Sequence, residues 1–339
     1  MNFSNTYLIY PRNKHLERAI KSSIALLGDD MAQAARPDRS VAEADNFLYT
    51  RGLFEQHGFS TNVLAPMCDA LQAMLAGQGG ESGESARAQM QNNLGNILAA
   101  LGQQRGDAAL FQDAARYFNA ALDAYDQDQT PLEWAETQYN LGLVNQALGR
   151  LCDDARSFKA AIDAYTGALS VWTRDVAAED WMYAMHQLGS TFHAHGKLLK
   201  GNRTFQKSVV AYKNALTVLN ADDYALELTA THNNRAVVLH HLAESEKNPA
   251  RMVEAIKSYD KALTVSMEQQ LPVHLSVICR VNKLTARSVL AELSNDTALA
   301  EEVADEFEVV IECFSHALQP LCLRHCEEKM NKVRSIAVA

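Results

Sequence analysis

The sequence predicts an all-α chain of stacked antiparallel helix hairpins, and three observations lead there. A pattern recurs at fixed spacing: Leu122, Leu169, Leu216 and Leu263 follow one another at 47 residues, each closing the same set of small, aromatic and aliphatic positions. Every period holds two apolar segments with i, i+3, i+4 spacing, one helix face each. The composition, 47% hydrophobic with only 7 prolines in 339 residues, suits long helices with much surface to bury.

Taken in chain order, residues 12–27 read as a helix that covers one end of the stack. Glu43 to His57 and Val63 to Leu75 read as a degenerate hairpin, in which Val63, Leu64, Met67, Ala70 and Leu71 loosely follow the second-helix pattern. Gly77 to Gly83 is a glycine- and serine-bearing break. Residues 1–84 are therefore set apart as N-terminal helices, 85–320 as the repeat array and 321–339 as a capping helix, because an open stack needs covered ends.

Inside the array, Ala161-Ile162-x-x-Tyr165-x-x-Ala168-Leu169 returns as Ser208-Val209-x-x-Tyr212-x-x-Ala215-Leu216 and as Ala255-Ile256-x-x-Tyr259-x-x-Ala262-Leu263. Ala114, Ala115, Phe118, Ala121 and Leu122 form an earlier copy. A fifth is expected at Val310, Ile311, Phe314, Ala317 and Leu318, 55 residues after the fourth. A second series keeps the 47-residue beat: Asn93-Leu94-Gly95, Asn140-Leu141-Gly142, Gln187-Leu188-Gly189 and Asn234-Arg235-Ala236, with Asn282 continuing it at 48. Gly102, Gly149, Gly196 and Ala243 follow in step. A glycine inside a helix costs roughly 1 kcal/mol relative to alanine. In-phase glycines therefore predict close approach of the first helix of each hairpin to the second. Asn248-Pro249 reads as an N-cap and first helical residue, while Thr130-Pro131 and Leu271-Pro272 fall between units. Trp134 and Trp181, also in phase, are expected to pack between hairpins.

The formal charge is −10, without a Lys/Arg-rich block, which argues against nucleic acid as a partner. The apolar run Tyr7 to Tyr10 is too short for a signal-peptide core, and no run has membrane-spanning length. Six scattered cysteines lack a disulfide framework's spacing and fit a reducing compartment. The chain is expected to be cytoplasmic. Phosphate loops, nucleophile elbows and convergent carboxylate pairs are not found, so no enzyme, metal or cofactor is expected.

Leu-Gly followed by a late alanine, an aromatic and another alanine resembles the tetratricopeptide repeat, stretched from its usual length to about 47 residues. The resemblance covers about residues 85 to 320, with departures such as Arg235 at a leucine position, where pairing with a local carboxylate or snorkelling is expected. It implies a right-handed superhelical solenoid whose first helices line a concave groove. Applied residue by residue, it places four rows there. They are Asn93, Asn140, Gln187 and Asn234; Asn92, Tyr139, His186 and Asn233; Gln89, Glu136, Tyr183 and Ala230; and Ala99, Gln146, His193 and His240. An amide both donates and accepts, matching the N–H and C=O of an extended backbone. The rows are similar to the asparagine ladder in the superhelix of eukaryotic O-linked N-acetylglucosamine transferases. Lys and Arg are missing from them, which argues against a carboxylate clamp.

The expectation is a protein- or peptide-binding scaffold. Asn92, Asn93, Asn140, Gln187, Asn233 and Asn234 would hold backbone, and Tyr139, Tyr183, His186, His193 and His240 would shape selectivity. A metal- or small-ligand sensor using the histidines and an assembly subunit docking through its convex surface are the alternatives. The alternative use of the amides, bonding neighbouring helices, stays open at this point. A zinc reading of Cys313, His316, Cys322, His325 and Cys326 is disfavoured, since Pro320 bends the chain between the two groups.

Overall fold

The computed structural model describes residues 61–77, 83–314 and 320–337. The described residues form twelve helices and no strand: α1 (Thr61–Gly77), α2 (Glu84–Arg105), α3 (Ala108–Leu122), α4 (Pro131–Cys152), α5 (Ala155–Val171), α6 (Ala178–Leu199), α7 (Asn202–Ala215), α8 (Ala221–Glu246), α9 (Pro249–Glu268), α10 (Val273–Ser294), α11 (Thr297–Phe314) and α12 (Pro320–Ala337). Val63 to Leu75 falls within α1; the segments expected at residues 12–27 and Glu43 to His57 lie outside the described residues.

The chain divides into two compact units between Leu199 and Lys200. In the first, α1 to α6 each pack on the next, and the alternate helices α2, α4 and α6 also touch in turn. The second repeats the scheme, with α7 to α12 in sequence and α8, α10 and α12 in contact.

One turn design joins the two helices of each hairpin. Within the units Gly106, Asp153, Lys247 and Asn295 are left-handed at this turn, with φ from 49° to 64°, and Lys200, at the boundary of the units, is left-handed as well. In four repeats the following N–H closes back onto a carbonyl five residues earlier: Asp107 on Gly102, Asp154 on Gly149, Asn248 on Ala243 and Asp296 on Ala291. This closure satisfies carbonyls that the helix end would otherwise leave without a donor. The side chains of the same four residues then accept backbone N–H groups of the second helix. Positions 102 and 149, where the sequence repeats glycine, are therefore also where the closing bond lands.

These caps keep a 47-residue step and then one of 48, which corrects the register of the fifth hairpin. Phe307, rather than Phe314, occupies the place of Phe118, Tyr165, Tyr212 and Tyr259, and all five rings are buried. Phe314 is partly buried at the end of α11. Along α11, Ala300, Val303, Ala304, Phe307, Val310, Ile311 and Phe314 form one apolar stripe. Such a stripe matches itself seven residues along, so a pattern alone slides by two turns.

The glycine expectation is met at Gly95, Gly142 and Gly149. A Cβ on Gly95 would lie 2.6 Å from the Phe118 ring, and one on Gly142 2.6 Å from the Tyr165 ring. Gly149 stands against Phe158 in the same way. In the second unit Ala236 takes the glycine position and joins the core cluster of Tyr259. Arg235 beside it pairs with Glu254 and also donates to the Ser258 hydroxyl, as expected of an arginine at a leucine position. Trp134 packs against the cluster of Ala88, Ala121 and Tyr125.

Candidate binding rows on the first helices

The candidate site residues sit on α2, α4, α6 and α8, and their placement differs from lining an open groove. Asn93, Tyr139, Asn140, Tyr183, His186, His193, Asn233, Asn234 and His240 are all buried, Asn140 to 1% and His186 to 2% exposure. Asn92 and Gln187 are half-buried. A buried amide needs partners, because leaving one unmade costs roughly 1–3 kcal/mol.

Those partners come from the next hairpin. In the first unit Asn140 Nδ2 reaches Asn92 Oδ1 at 3.4 Å, joining α4 to α2. The Tyr139 hydroxyl bonds Gln187, joining α4 to α6. In the second unit Asn282 Nδ2 donates to Asn233 Oδ1 at 2.9 Å, joining α10 to α8, and Asn233 Nδ2 donates to Asn234 Oδ1 at 3.2 Å. The row two residues before the leucine position is thus bonded to the row one residue before it in the following repeat. What reads in sequence as two parallel rows of free amides is, at these rungs, one ladder between hairpins.

The position five residues after the leucine belongs to the same interior. Gln146 accepts the Tyr165 hydroxyl at 2.7 Å and donates to Ser190 Oγ at 3.2 Å, and Arg150 Nη2 donates to that same oxygen at 2.6 Å. Tyr139 lies 5.6 Å from the Tyr165 ring and 5.5 Å from Trp172. Burial pushes both tyrosine hydroxyls up from their ordinary range, so they act as neutral donors. Sequence reasoning put Gln146 in a groove row without giving it a role, and it missed Ser190 and Arg150. The 19-residue step from Gln146 to Tyr165 recurs from His240 to Tyr259 and was the available signal.

The histidines are interior groups as well. Burial holds His186 well below the ordinary imidazole value, with the Arg150 charge adding to the effect, so it is neutral at pH 7. His240 Nε2 lies 3.7 Å from Glu244 Oε1, and this polar contact is the main reason the Glu244 carboxyl is held below its usual range. Among the described residues, groups of three or more His, Cys, Asp or Glu side chains that could hold a metal ion do not occur. His316 of the C-terminal Cys/His set lies outside the described residues. A surface pocket between α10 and α11 is lined by Arg280, Leu284, Glu302, Asp305 and Glu306. Two of its carboxylates, Glu302 and Glu306, are already paired with Arg287. Among the described residues no helix is long and apolar enough to cross a membrane.

In comparisons with family models and with curated proteins, the sequence matches none.

Proposed function

We propose that this chain is a tetratricopeptide-type scaffold, a right-handed superhelix in the cytoplasm that works by binding protein partners and carries no chemistry of its own. The supporting observation is the ladder: side chains that a groove binder would offer to its ligand are spent on holding one hairpin to the next. A rigid stack of this kind presents its partner with the outer faces and edges of the hairpins. In the first unit Leu151 and Leu198 stand 47 residues apart at the same turn of successive hairpins, 47% and 38% exposed, with Leu199 beside them at 54%. A recurring exposed leucine is the kind of anchor a protein interface uses.

A second reading keeps the amide rows as a peptide site, and one atom favours it. Asn140 Oδ1 is buried without a hydrogen-bond donor, and a backbone N–H of an extended peptide would supply one.

Affinity capture from the source cell distinguishes the two. With the Leu151→Asp, Leu198→Asp variant, still helical by circular dichroism, the partner captured by wild type is expected to be lost. Retention of the partner by that variant, with loss on Asn140→Ala, would overturn the edge reading in favour of the amide rows.

A further inference from the structure

The last helix carries two cysteines one turn apart whose environments differ. α12 spans Pro320–Ala337, so Cys322 lies in its first turn and Cys326 four residues on. Residues at that spacing are neighbours on one helix face, with Cβ atoms roughly 5–6 Å apart. Cys322 is half-buried, whereas Cys326 is fully buried, in the core cluster that holds Leu284, Phe307 and Val310. The two thiols bond to each other. A helix N-terminus favours negative charge, and first-turn cysteines are the ones that ionise early.

We propose that Cys322 and Cys326 form a redox-responsive dithiol, in which Cys322 is the thiol that reacts with an oxidant from solution and Cys326 the resolving thiol behind it. The oxidant class is a low-molecular-weight disulfide. The Cys322 thiolate attacks one sulfur of that disulfide, forming a mixed disulfide and expelling one thiolate. The Cys326 sulfur then attacks the Cys322 sulfur, its proton leaves to solvent or to the departing thiolate, and the second small thiol is released. Two protein thiols are oxidised by two electrons, and one small disulfide is reduced to two thiols.

The electrostatics agree with this division of labour. The bond between the two thiols draws Cys322 below its ordinary value, and the same bond, together with burial, pushes Cys326 up. Cys152 and Cys313 are exposed thiols outside the pair and serve as internal controls.

Closing the bond has a structural consequence. A disulfide needs Cβ atoms about 3.5–4.5 Å apart, closer than the helical spacing supplies, so the first two turns of α12 must tighten. His325, between the two cysteines, bonds Thr285 of α10 at 3.0 Å. Oxidation therefore works against the contact of α12 with α10.

The test incubates the reduced full-length chain, folded, with glutathione disulfide and maps its peptides by mass spectrometry. The expected result is loss of two hydrogens from the segment carrying Cys322 and Cys326, ahead of any change at Cys152 or Cys313, with faster amide exchange in the first turns of α12. Cys326→Ser is expected to stop at a glutathione adduct on Cys322, and Cys322→Ser to leave Cys326 reduced. A wild-type chain that stays reduced, that stops at the adduct, or that reacts first at Cys152 or Cys313 would overturn the proposal, and this wild-type readout needs no variant to fold.

Discussion

Replacing Tyr165 by alanine is expected to destabilise the unit that ends at Leu199 by about 4 kcal/mol, within the ~3–5 kcal/mol range for emptying a large aromatic from a core. The ring is fully buried, packs tilted against Tyr139 and fills the space that Gly142 leaves open. Its hydroxyl donates to Gln146. The truncation therefore creates a cavity and strands a buried acceptor together, and the two costs have separate signatures. Tyr165→Phe keeps the ring and removes the bond, so it is expected to lose about 1 kcal/mol. Urea unfolding followed by tryptophan fluorescence reads both, since Trp134, Trp172 and Trp181 all lie in this unit. A loss below about 2 kcal/mol for the alanine variant would contradict the packing described, given the range quoted.

The second large effect is expected at the other side of the same contact. Leucine at Gly142 must place its first carbon 2.6 Å from the Tyr165 ring, a distance no relaxed pair adopts. The ring cannot swing aside, because its hydroxyl is fixed to Gln146 and it is enclosed on all sides. A loss of about 3 kcal/mol is expected, at the upper end for overpacking a core. The contact also predicts a change of sign. Gly142→Ala destabilises the wild type, but in a Tyr165→Ala background the clash is gone and only the helix preference for alanine remains, stabilising by about 1 kcal/mol. The same unfolding measurement checks this, and an equal effect of Gly142→Ala in both backgrounds would show that the two residues do not meet.

Much of this arrangement is legible in the sequence, for a physical reason. Glycine inside a helix is costly, so its return in phase at 95 and 142 marks a contact of the two helices, but that the partners are the in-phase aromatics at 118 and 165 is seen only in the structure. Periodicity says which residues are equivalent, not what touches them. Asparagine, glutamine and tyrosine serve a neighbouring helix as well as they serve a ligand, so Asn140 and Gln187 looked available when each was already paired with a residue 48 positions earlier. Lys200 and Lys247 gave no sign of their left-handed backbone, because lysine, unlike glycine or asparagine, carries no preference for it. The fifth hairpin misled for the opposite reason: α11 has so regular an apolar stripe that two registers fit it, and the cap at Asp296 decides between them.

The claim on which the functional reading turns is that the amide rows bind hairpin to hairpin. It is tested most directly by a double-mutant cycle on Asn233 and Asn282, whose bond is 2.9 Å and buried, with thermal unfolding followed by circular dichroism. The ladder predicts that each alanine substitution alone costs about 1–2 kcal/mol and that the double variant costs about 1 kcal/mol less than their sum, since the second substitution removes a group already stranded by the first. Single variants that unfold like wild type, or losses that simply add, would contradict it and return these side chains to the peptide-binding reading.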